Sequence, residues 1–234
     1  MRTALAFSGG MDSWACLYLY KDKLDDIDVI WVNANKNYPE LELLIEKAKK
    51  MCPNFIEISI DRDLQTDKYG LPSDLVNVDN TEIGFIVNGE KSVKVQNRFD
   101  CCYNNISYPL LFKIKELGIT HLIRGQRIEE EHKSPARDGD IVDGIEYLQP
   151  IENWTRKQVL SYLSEHMDIP EHFKLNHTSL DCHDCTAYVE HSLDRYEWAR
   201  EHHPELHKNN MLKLNNVMGT IIPIYKLISG ACNG

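Results

Sequence analysis

The sequence has no run of 18 apolar residues, which leaves no candidate for a membrane-spanning helix. It opens on a strand-like stretch rather than a charged, apolar and small-residue leader, so no secretory signal is expected and a cytoplasmic setting follows. It also lacks an excess of positive charge. Its 26 Lys and Arg against 36 Asp and Glu give a formal net charge of −10. That balance argues against tight sequence-independent DNA binding, which needs a basic footprint, but leaves room for a local basic patch. No internal repeat or low-complexity segment interrupts it. Neither a Gly-Lys-Ser/Thr phosphate loop nor a G-x-G-x-x-G fingerprint is present. Seven cysteines, an odd number, do not make a disulfide framework in such a setting.

What is present begins at residue 3. The apolar run 3–7 breaks into Ser8-Gly9-Gly10-Met11-Asp12-Ser13, and a helical pattern follows over 12–21. Strand-like 28–33, helical 39–51 with Pro39 in its first turn, and alternating 55–60 continue a strand–helix rhythm. That rhythm predicts an α/β fold with a doubly wound, mostly parallel sheet and helices on both faces. Residues 61–97 break it. Asn88-Gly89 between two strand-like runs in 85–95 predicts a hairpin inside an insertion. A helix over 98–117, a strand over 120–125, a second hairpin at Asp143-Gly144 and a Thr155-capped helix over 155–167 come next. The expected division is a nucleotide-binding domain over 1–190 and a helical extension over 191–234 ending in a mobile tail from 218.

The glycine loop carries chemistry. Between a strand and a helix it places several N–H groups at a helix N-terminus, where phosphate oxygens can approach closely because glycine has no Cβ. Ser8 and Ser13 add hydroxyls. Four of the cysteines form two pairs, Cys101-Cys102 and Cys182-x-x-Cys185, separated by residues 103–181. Four thiolates suit an iron–sulfur cluster or structural zinc, and adjacent cysteines reach different irons of a cluster more easily than one tetrahedral ion. Cys16 and Cys52 read as core or surface thiols. His183, between the paired cysteines, reads as a bystander.

The SGGMDS segment resembles the PP-loop of the ATP pyrophosphatases. In order over most of 1–190, the chain looks most like the phosphoadenosine phosphosulfate (PAPS) reductase family of that superfamily, in its [4Fe–4S] form. "VNANKNYPE" resembles D-T-G-R-x-F-P-E, with Asn33 at the acidic position and Lys36 at a basic one. "LIRGQRIEEE" resembles G-x-R-x-x-E, with Arg137 further on. "SLDCHDCT" resembles the family's C-x-x-C segment, and residues 148–163 resemble a closing stretch best read as core packing.

The resemblance implies nucleotide and phosphate contacts from Ser8, Gly9, Gly10, Met11, Asp12, Ser13, Asn33, Lys36, Gly125, Arg127 and Arg137. It implies catalytic parts for Asp12 and Arg127, and ligation of a [4Fe–4S] cluster (zinc as the alternative) by Cys101, Cys102, Cys182 and Cys185. Two reactions are implied. Sulfonucleotide reduction would act on APS or PAPS with a thioredoxin-like thiol partner; the family's late E-C-G-x-H motif is missing, leaving Cys232 as the candidate nucleophile. The intact loop favours the other, cleavage of ATP–Mg²⁺ to AMP and pyrophosphate to activate an acceptor such as a nucleobase, an RNA or a small metabolite, with a sulfur donor. A non-catalytic nucleotide-binding subunit is a third reading. Family members are often homo-oligomers, and no membrane partner is expected.

Overall fold

The computed structural model describes residues 1–90, 93–130, 135–175, 180–191 and 193–232. Glu131 and Ser179, which belong to two of the motifs above, fall outside these. At its centre is a six-stranded sheet. Strands β1 (Thr3–Ala6), β2 (Ile27–Asn33) and β3 (Phe55–Ser59) are separated by helices α1 (Met11–Leu19) and α2 (Pro39–Met51). α2 forms where Pro39 sets the first turn, Glu40 and Glu42 face the positive helix end, and Lys49 and Lys50 face the negative one. Its Leu41, Leu44, Ile45 and Ala48 recur at helical spacing and are buried.

Residues 61–97 do not form the expected hairpin. They fold as α3 (Arg62–Tyr69), β4 (Leu71–Ser73), α4 (Glu82–Asn88) and β5 (Val95–Asn97). The run before Asn88 is a helix because Thr81 caps it, accepting from the Gly84 amide at 3.1 Å, and Gly89 at φ +80° ends it. β4 and β5 pair in parallel as a separate small sheet. The expected helix over 98–117 is α5 (Arg98–Cys102) and α6 (Tyr108–Glu116), joined by a π turn at 103–107.

β6 (His121–Arg124), β7 (Ile141–Val142) and β8 (Ile145–Leu148) complete the large sheet. The hairpin at Asp143-Gly144 is present, with φ +52° and +78° at the two turn residues, as a tight antiparallel turn requires. α7 (Arg156–Ser164) starts in a reciprocal Thr155–Gln158 capping box. α8 (Glu171–Leu175), α9 (Leu193–His202) and α10 (Pro204–Cys232) follow. α10 runs on through Cys232, so the tail expected to be mobile from 218 is helical. Ile222, Tyr225, Leu227 and Ile228 stand exposed along it.

The strand order is β3-β2-β1-β6-β8-β7, parallel except at β7. The winding reverses between β1 and β6. In open parallel sheets, the crevice outside the carboxyl ends at such a reversal is where ligands bind. One apolar core lies under α1, α2 and α7 and includes Trp14, Leu17, Trp31, Leu163 and, from α9, Trp198 and Ala199.

Candidate functional site at the carboxyl ends of the central strands

Residues 8–13 sit at the reversal. Gly10 caps α1 without a side-chain bond, and the first helical bond runs from the Trp14 amide to the Gly10 carbonyl at 3.0 Å. The amides of Met11, Asp12 and Ser13 therefore have no intrahelical acceptor. Ser13 Oγ donates to the Gly10 carbonyl at 2.9 Å, and the Gly10 amide donates to Ser8 Oγ at 3.3 Å, which holds the loop in shape. Two glycines are required by close approach. Gly9 has φ +79°, and a Cβ there would stand 2.3 Å from Leu41 Cδ1. A Cβ on Gly125, just after β6, would lie 2.6 Å from the Asp12 backbone.

Two cavities open here. One, of about 260 Å³, is lined by the loop together with Leu41, Arg127, Glu130, Arg156 and His172. The other, of about 180 Å³, is bounded by Phe7, Ile30, Trp31, Val32, Ile106, Leu110, Arg124 and Asp181. Ser8 and Gly125 line both. Charge is concentrated in the first. Arg127 clamps Asp12, with Nε 2.7 Å from Oδ1 and Nη2 3.4 Å from Oδ2, and also pairs with Glu129. Its own amide donates to Glu130 Oε1 at 3.0 Å. Burial pushes the Asp12 carboxyl above its usual range against the lowering effect of Arg127. Glu130 is raised mainly by burial, with repulsion from Asp12 adding to it.

Of the residues expected to contact a nucleotide, the 8–13 loop, Gly125 and Arg127 come together. Asn33, Lys36 and Arg137 line neither cavity. Asn33 donates to Glu57 and accepts from the Asn35 amide, Lys36 pairs with Asp63 at 2.6 Å, and the half-exposed Arg137 pairs with Glu152 at 3.1 Å. Arg124 and Arg156 were missed. Arg124 was readable as a cation at the carboxyl end of an apolar strand. Arg156 lies in the stretch read as core packing, yet it starts α7 beside the cavity, with Nη1 3.4 Å from Met11 Sδ.

The four paired cysteines gather elsewhere, around the 61–97 segment. Thr186 Oγ1 donates to the Pro72 carbonyl at 2.6 Å. Asp74 accepts from the Tyr188 and Val189 amides and from Arg98. The segment taken for an insertion thus builds the wall behind the thiols. Cys182 and Tyr188, on either side of Cys185, both hold φ above +45°, an uncommon conformation for residues with a Cβ. Burial raises the Cys101 and Cys102 thiols, Cys102 to about 11, while Arg62 pulls Cys101 back. Arg62, 2% exposed, is paired with Asp184 and faces Cys101, Cys182 and Cys185 electrostatically. Buried Arg195 acts on Cys185 in the same way, and its Nη2 has no hydrogen-bond partner. Burial thus holds Cys101, Cys102 and Cys182 as thiols, Arg62 opposes it at Cys101 and Cys182, and the two buried guanidiniums are placed to offset negative charge on the sulfurs. Among the described residues, no three His, Cys, Asp or Glu side chains close around a single metal ion. Cys16 and Cys52 are buried, and Cys232 is exposed at the end of α10.

The phosphoadenosine phosphosulfate reductase domain matches residues 2–188. The chain belongs to that family. No curated protein matches it. Among solved structures, a PAPS reductase from Candida auris in complex with phosphate is 16% identical, with a TM-score of 0.48 over 74% of this chain and 77% of that one. A predicted subunit of a tRNA methyltransferase from Methanocaldococcus jannaschii is 16% identical, with a TM-score of 0.41 over 86% and 87%. Yeast FAD synthetase in complex with FAD is 13% identical, with a TM-score of 0.39 over 69% and 48%. At these levels of likeness the assignment rests on the domain match. Family membership makes this an adenine-nucleotide-using fold, and no described helix is long and apolar enough to cross a membrane.

Proposed function

We propose that the chain binds ATP as its Mg²⁺ complex and cleaves it between the α- and β-phosphates to activate an acceptor. The observation that carries this reading is the pair of cavities meeting at Ser8 and Gly125. The one between Phe7, Trp31 and Ile106 suits a nucleoside. The other offers phosphate oxygens the unpaired amides of α1 and the guanidiniums of Arg127 and Arg156. An acceptor oxygen attacks the α-phosphorus, the bridging P–O bond breaks, and pyrophosphate leaves with its charge held by those groups.

Cys101, Cys102, Cys182 and Cys185 are the residues that would hold a [4Fe–4S] cluster. The buried Arg62 and Arg195 support that reading, because a thiolate-ligated cluster is anionic and both cations face the sulfurs. Such a group would supply electron or sulfur chemistry.

The family match supports a second reading, sulfonucleotide reduction. The exposed Cys232 thiolate attacks the sulfur of APS or PAPS, the S–O bond to phosphate breaks, and a dithiol partner then releases sulfite and is itself oxidised. One anaerobic comparison separates the two. Under the ATP reading, ATP–Mg²⁺ yields AMP and pyrophosphate, neither sulfonucleotide yields sulfite, and Cys232→Ser changes nothing. Sulfite release that disappears in Cys232→Ser overturns it.

A further inference from the structure

A third hollow lies behind the phosphate cavity. It has a volume of about 500 Å³ and runs between α2, the turn into α8, and α9. Leu43, Leu44, Met167 and Pro170 make its apolar walls. Trp198 carries the exposed His202 ring stacked on it, with centroids 3.8 Å apart.

Three carboxylates, Glu40, Asp168 and Glu171, line the groove against one cation, Lys47. That lysine is already engaged, its ammonium 5.3 Å above the Trp14 ring. Glu40 accepts from Trp198 Nε1 at 3.2 Å and His203 Nε2 at 2.8 Å through Oε1, which leaves the buried Oε2 with no hydrogen-bond partner.

His172 lines both this groove and the phosphate cavity. It is 7% exposed, packs edge-on against Phe173 and Trp198, and is kept neutral by burial. Its ring nitrogens bond to no described residue. They are not sealed from solvent, so a molecule in either cavity can meet them.

We propose that this groove binds the second substrate, a small molecule with an aromatic or aliphatic body and a cationic amine. The apolar walls and the Trp198–His202 stack take the body, and the exposed carboxylates of Asp168 and Glu171 take the ammonium. The shared His172 places the bound molecule beside the nucleotide's phosphates. This assignment rests on the ATP reading only for the word substrate; the binding itself does not.

Tryptamine, an aromatic ring on an alkylammonium, is the probe, and indole-3-propionate is its anionic counterpart. Isothermal titration of the full chain is expected to show tryptamine binding at least about tenfold tighter than indole-3-propionate. Leu43→Arg and, separately, Glu171→Lys should weaken tryptamine at least about tenfold while leaving the melting temperature and ATP affinity unchanged. Both positions are exposed, Leu43 at 74%, so the fold tolerates either change. Equal binding of the two probes, or tryptamine binding indifferent to both variants, overturns the proposal. Selective tryptamine binding by a chain that does not bind ATP upholds the groove and defeats the ATP reading instead.

Discussion

Arg127, three residues beyond the end of β6, reaches back to Asp12 in the first turn of α1 and grips both carboxylate oxygens, at 2.7 and 3.4 Å. One contact thereby joins the two strand ends that frame the cavity. Arg127→Ala should cost about 1.5–3 kcal/mol of stability, the range for hydrogen bonds to charged groups. It should also weaken ATP about tenfold or more. Arg127→Lys, which keeps the charge but loses the fork, should fall between. Calorimetric titration and thermal melts on the three proteins check this.

Gly125→Ala tests the seam between the cavities. A methyl 2.6 Å from the Asp12 backbone meets nothing that can swing aside, so the strand end or α1 must move. We expect a loss of about 1–3 kcal/mol and ATP binding weakened at least about tenfold. An unchanged melting temperature and unchanged affinity would contradict the packing described.

The raised Glu130 carboxyl fixes the sign of a pH effect. A carboxyl whose pKa is higher folded than unfolded binds its proton more readily in the native state. Its contribution to stability is complete below the unfolded pKa, near 4.3, and is lost as pH rises through the higher folded value. Glu130→Gln removes that loss while keeping an acceptor for the Arg127 amide. Melting temperatures measured from pH 4 to 7 should converge at the acid end, with the variant gaining over the wild type as pH rises.

For the cysteines, anaerobically purified protein should be brown and carry about four irons per chain. Cys101→Ser or Cys185→Ser should abolish the iron while leaving ATP affinity within about threefold, because the thiols line neither cavity at the loop. Stoichiometric zinc without iron would replace the cluster with a structural ion.

The central β–α rhythm was legible because each piece carries its own signal: alternation in 55–60, Pro39 ahead of a 3.6-residue apolar stripe, and Asp143-Gly144 at a turn needing two positive φ angles. The strand–loop–helix geometry of residues 8–13 was legible for the same reason, its glycines lying between an apolar run and a helical pattern. Residues 85–95 misled because Asn88-Gly89 ends a helix as readily as it turns a hairpin, and Thr81, whose cap decides the matter, lies outside the apolar run. The tail beyond 218 misled because it looked mixed, although its apolar residues continue one helix. Lys36 and Arg137 illustrate a different gap. Residue type marks a cation as able to bind phosphate, but only tertiary placement shows that these two line neither cavity at the loop. Conversely, Arg156 and His172 have unremarkable sequence surroundings and reach the cavity only because α7 and α8 fold back over it.

The π turn at 103–107 gives the helical stretch from Arg98 to Glu116 two duties. Ahead of it are Cys101 and Cys102; within and beyond it are Ile106 and Leu110, which wall the cavity proposed for the nucleoside. Each residue of an ordinary α-helix advances the side chain by about 100°. Deleting one residue from the π turn would therefore rotate the wall by roughly that angle relative to the thiols. The turn acts as an angular spacer, setting the phase between a pair of thiols and a cavity wall that share a single shaft.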